Sequence, residues 1–72
     1  MSIELTSQEK IQIIDNHIKN LKLNKYNLDL SILEESNIED PSSEKIDKLN
    51  QEVSDTNNRI SILEAEKLKI QE

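Results

Sequence analysis

His17 is the only histidine in this 72-residue chain, and Asp15 and Glu9 precede it within a short distance. An imidazole beside a carboxylate suggests an acid–base pair or the beginning of a metal site. A zinc site needs several Cys or His ligands. The chain has no Cys, and one His without partners does not make a ligand set. His17 is therefore read as a solvated side chain. Glu34-Glu35 and Glu39-Asp40 are adjacent carboxylates. A glycosidase-like use of such pairs needs a cleft, and their spacing lacks the ligand positions and the glycine of a calcium loop. They are read as a solvated helix end and loop. Ser and Thr are plentiful, but no base is set to activate one. No catalytic, cofactor-binding or metal site is expected, and no small-molecule substrate.

Composition narrows the classes further. Fifteen acids against nine bases give a net charge of −6. Neutralising nucleic-acid phosphates or an anionic membrane surface calls for the opposite sign. Lys19, Lys22 and Lys25, with His17 and Asn16, Asn20, Asn24 and Asn27, form the one basic polar patch. No aromatic interleaves there to stack a base, so a solvated face is expected. No apolar run has the roughly 20 residues of a spanning helix, and Met1 to Leu5 lack the features of a signal peptide. A cytoplasmic location is expected. Gly is absent, which removes phosphate loops and tight primed hairpin turns. Tyr26 is the only aromatic and Pro41 the only proline. Two long helices broken once suit this composition, whereas a sheet does not.

The helices are legible from their ends and their stepping. A short tail covers about 1–6, with Met1, Ile3 and Leu5 alternating against polar residues. Thr6 and Glu9 are spaced as a capping box, and the first helix is placed at about 7–36. Ile11, Ile14, Ile18, Leu21, Lys25, Leu28 and Ile32 recur at alternating steps of three and four, the a and d positions of a heptad. Asn37 is expected in the left-handed position that ends a helix, with Leu33 touching Ile38 in a Schellman motif. After a loop at about 37–40, Asp40 is expected to cap a second helix at about 41–70, with Pro41 as its first residue. There Ile46, Leu49, Val53, Thr56, Ile60, Leu63, Lys67 and Ile70 repeat the stepping. Asp15 with Lys19, Glu44 with Lys48, and Asp55 with Arg59 are spaced for surface ion pairs along one helix.

A connection this short forces the helices antiparallel. The resulting seam sets Ile32 against Leu49, Leu28 against Val53, Leu21 against Ile60, and Ile18 against Leu63. Lys25 then falls opposite Thr56, so that the two polar interruptions share one layer that can fix register. A neighbouring register that pairs a with a stays open.

The first helix also carries apolar residues that this seam does not use. Leu23, Tyr26, Leu30 and Leu33 form a second stripe, and between Leu21 and Leu33 the apolar arc reaches about 200°, against roughly 100° for a one-sided helix. Leaving four such side chains wet forfeits on the order of 1.5–3 kcal/mol each, comparable with the whole stability of a small domain. The expected architecture is an all-α antiparallel two-helix coiled-coil hairpin, dimerising into a four-helix bundle through Leu23, Tyr26, Leu30 and Leu33. Ile62 and Leu68 lie off the second helix's seam, where they can join this interface or its edge. The leading expectation is a non-enzymatic structural or adaptor protein that forms a homodimer. The alternative is an acidic protein that blocks a basic surface of another protein, in the manner of a nucleic-acid mimic.

The run Ile14-Asp15-Asn16-His17-Ile18-Lys19-Asn20-Leu21, then Asn24-Lys25-Tyr26-Asn27-Leu28, Leu33-Glu34-Glu35, Leu49-Asn50-Gln51 and Ile62-Leu63-Glu64-Ala65-Glu66, resembles small helical-hairpin proteins of marine T4-like tailed phages. That family has no assigned activity, so the resemblance implies no site residues. It implies expression of a phage gene in a bacterial host, with host cytoplasm as the setting; the protein blocked in the acidic alternative is then a host or phage protein.

Overall fold

A computed structural model describes residues 4–71. Met1 and Ile3 of the alternating tail lie outside the described residues. Two helices account for nearly all of the rest: α1 (Ser7–Ser36, 30 residues) and α2 (Ser43–Gln71, 29 residues). They pack against each other as an antiparallel hairpin about 57 Å long and under 20 Å in its other dimensions. The turn end is marked by a contact between Glu35 and Ser42 and the open end by one between Asp15 and Lys67.

The start of α1 is fixed locally. Thr6, in extended conformation, accepts the Glu9 N–H on its hydroxyl at 3.1 Å, and its own N–H donates to the Glu9 carboxylate at 3.0 Å. Both halves of the capping box are present, satisfying two backbone donors that a helix start leaves unpaired. Thr6 also holds the Glu9 carboxyl below its ordinary pKa. The larger cause is the Thr6 backbone N–H and the smaller its side chain. Each hydrogen bond favours the charged form.

The other two helix ends depart from expectation. Asn37 is not left-handed: its φ is −111° and its ψ 7°. Its backbone N–H donates to the Glu34 carbonyl at 3.2 Å, and its side-chain amide donates to the Leu33 carbonyl at 2.7 Å. A Schellman motif would cover such late carbonyls with backbone N–H groups. The asparagine amide does part of that work without a positive φ, which a residue with a Cβ adopts only at a cost. Leu33 and Ile38 both remain exposed.

The start of α2 is corrected from Pro41 to Ser43, and the capping bonds are made by Ser42 rather than Asp40. The Ser42 hydroxyl accepts the Lys45 N–H at 3.3 Å, and its carbonyl accepts the Ile46 N–H at 3.0 Å. Ser42's own N–H donates to the Glu35 carboxylate at 3.1 Å. Serine caps a helix about as well as aspartate. The bond from Glu35, on the other helix, adds a partner at Ser42 and leaves Pro41 in the loop.

The core is one layer thick. Ile18 and Ile60 are the buried apolar residues, and Thr56 is buried with them. The half-buried positions of α1 are Ile11, Ile14, Leu21, Lys25, Leu28, Ile32 and Glu35. Those of α2 are Ile46, Leu49, Val53, Leu63, Lys67 and Ile70. A helix pair with no further layer above it buries one stripe per helix and no more.

Candidate interaction surfaces

Lys25 and Thr56, the polar members of the seam, are half-buried and buried respectively. No hydrogen bond joins them among the described residues. The Thr56 hydroxyl donates to the Glu52 carbonyl one turn back in α2, at 2.8 Å. Such back-bonding satisfies a buried hydroxyl without a cross-helix partner, and no buried side-chain polar atom among the described residues lacks a hydrogen bond.

The ion pairs expected along single helices are also corrected. Among the described residues the ion pair is Asp15 with Lys67, 2.8 Å apart across the seam. Asp15 therefore does not pair with Lys19. Asp55 accepts a hydrogen bond from Gln51 at 3.1 Å in place of an ion pair with Arg59, and none forms between Glu44 and Lys48. Lys67 sits at a seam position with a half-buried side chain. Its aliphatic stem can cover apolar surface while its ammonium reaches the rim, where Asp15 meets it. A fully exposed pair along one helix has less to gain.

The second stripe of α1 lies bare on the hairpin. Tyr26 is 62% exposed, Leu33 59%, Leu23 55% and Leu30 37%. At 100° per residue, Leu23 sits about 200° from both Leu21 and Lys25, and Leu30 about 200° from both Leu28 and Ile32. The stripe thus faces away from α2. Ile62 and Leu68, also exposed, are six residues apart and so point about 120° apart around α2. Ile62 borders a groove with His17, Asn24 and Arg59, whereas Leu68 borders one with Asp15, Lys22 and Glu64. The two do not share one edge.

The first of these grooves is a shallow hollow of about 640 Å³ between the helices. Leu21, Leu23, Ile62 and Leu63 give it apolar walls, and Asn20, Asn24, Asn27, His17 and Arg59 give it a polar rim without a carboxylate. The structure divides the basic patch read from sequence. Lys19 and Lys22 border a different hollow, beside Asp15 and Ile18. Arg59 joins His17 from α2. Only the pairing of the two helices brings these residues together, so no signal within α1 revealed it. No group of three or more potential metal ligands occurs among the described residues.

No protein-family model, no curated protein and no solved structure matches the chain.

Proposed function

We propose that the chain is a non-enzymatic, self-associating helical hairpin that serves as a structural or adaptor element, with the outer face of α1 as its contact surface. The observation that carries this reading is the exposure of Leu23, Tyr26, Leu30 and Leu33 side by side on the helix face turned away from α2. Contiguous apolar surface of this kind marks protein contact sites. A cytoplasmic setting, that of a bacterial host on the phage resemblance, belongs to the same proposal. It is supported by the fact that no helix among the described residues is long and apolar enough to cross a membrane.

Sedimentation at micromolar concentration tests the proposal. The expected species is a dimer, and the double substitution Tyr26→Asp with Leu30→Asp is expected to yield a less stable monomer. A well-folded monomer of the unsubstituted chain at those concentrations overturns it.

One observation favours a second reading, in which the chain blocks a basic protein surface. Between Tyr26 and Glu44 the sequence has no Lys or Arg but holds Asp29, Glu34, Glu35, Glu39, Asp40 and Glu44. This concentrates negative charge toward the turn end. A partner captured through that end is expected to be released by moderate salt. Capture insensitive to salt counts against this second reading.

A further inference from the structure

The stripe contains more information than the fact that it is apolar. Its steps, from Leu23 to Tyr26, to Leu30, to Leu33, run three, four, three. They read the same in both directions. A stripe of this spacing is self-complementary about a two-fold axis set midway between Tyr26 and Leu30. Leu23 then meets Leu33 of a second copy, and Tyr26 meets its Leu30. Two-fold interfaces are built in this reciprocal way.

Spacing alone does not choose between antiparallel and parallel copies, because a parallel pair also aligns each residue with its own mate. Charge does. The part of α1 before Tyr26 holds Lys10, Lys19, Lys22 and Lys25 against Glu9 and Asp15, an excess of two positive charges, and the part after it holds Asp29, Glu34 and Glu35 with no base. Lys25 and Glu35 lie on the seam side, so Lys19, Lys22, Asp29 and Glu34 are the charges nearest the stripe. Parallel copies would set lysines beside lysines and bring both acidic turn ends together. Antiparallel copies set the basic stretch of each α1 alongside the acidic stretch of the other. Like charges brought together weaken association, and complementary ones guide it.

We propose that two copies pair antiparallel through the outer faces of α1, with Leu23 against Leu33 and Tyr26 against Leu30 across a two-fold axis. This rests on the self-association proposed above and specifies its geometry. Because the stripe faces away from α2, the four helices lie in the order α2, α1, α1, α2. They form a layer with three successive seams, which differs from a bundle around one shared core. The groove rimmed by His17, Asn20, Asn24, Asn27 and Arg59 then recurs on each copy, related by the same axis.

The chain has no cysteine, so one introduced thiol carries one probe. A nitroxide attached at Glu39→Cys, in the exposed loop away from the stripe, reports the distance between the two turn ends by pulsed dipolar spectroscopy. Antiparallel copies centred between Tyr26 and Leu30 separate the probes by about 30 Å, from the 1.5 Å rise per residue. Parallel copies hold them at about 10–20 Å, the spacing of neighbouring helices and their loops. A long distance that disappears when Tyr26→Asp and Leu30→Asp are added supports the proposal. A short distance overturns the antiparallel geometry and leaves self-association standing. A long distance that survives the double substitution overturns the use of this face. A monomer in sedimentation, with no dipolar coupling, overturns both proposals.

Discussion

The two apolar faces of α1 are built from similar residues and have different fates. Ile18 and its neighbours along the seam are covered by α2, down to 8% exposure at Ile18. Leu23, Tyr26, Leu30 and Leu33 lie on the same helix and remain exposed, Leu23 bordering the groove shared with α2. Hydrophobic side chains are thus not equivalent in a thin molecule: their contribution depends on whether a second element lies over them. A larger domain has layers enough to cover both faces of a helix, whereas a hairpin has one seam.

The sharpest way to break this contrast is to shorten one side chain on each face. Ile60→Ala removes atoms from the best-covered point of the seam and is expected to cost about 2–4 kcal/mol, seen as a lower denaturation midpoint at every protein concentration. Leu30→Ala is expected to matter only as far as association does. Its effect on the midpoint should shrink as the protein is diluted. If the two variants lose equal stability at all concentrations, the faces do not differ in the way described.

A smaller effect is expected at the rim of the seam. Asp15→Asn removes the contact with Lys67, in which both side chains are partly exposed, and is expected to cost at most about 1 kcal/mol. Thermal melts in low and high salt check this, because added salt should narrow the gap between variant and parent. The smallest effect belongs to Glu9. Its folded pKa lies below the ordinary value of 4.5, so its contribution is present at higher pH and is lost as pH falls through the folded value. Amide protection near Thr6 and Glu9 should therefore weaken on acidification. Glu9→Gln, which can still form a capping box, should remove that pH dependence while leaving the neutral-pH fold in place.

Much of the architecture was legible in the chain because it is repetitive. The three-four stepping of Ile11 through Ile32 and Ile46 through Ile70 specifies two one-sided helices, and a short connection makes them antiparallel. The capping box at Thr6 was legible because its partners are three residues apart. The misread points depend on residues distant in sequence. Asp40 and Ser42 are both competent caps, and it is Ser42 that Glu35, seven positions earlier and on the other helix, engages. Asp15 has Lys19 one turn away but pairs with Lys67, which only the hairpin brings near. Arg59 enters the groove beside His17 for the same reason. The chemistry of α1 alone suggested a left-handed Asn37, but its amide offers a second way to cap the Leu33 carbonyl, and sequence does not rank the two.

The bond between the Glu35 carboxylate and the Ser42 N–H has a consequence for how the hairpin opens. It bridges the end of one rod and the beginning of the next, so the bend is closed by a latch as well as by the peptide linking them. Hydrogen exchange should therefore be slow beside the bend as well as around Ile18, Thr56 and Ile60, where the seam is best covered. Lengthening the bend by a residue is expected to loosen the latch, while the apolar seam still sets which edge of the second rod meets the first.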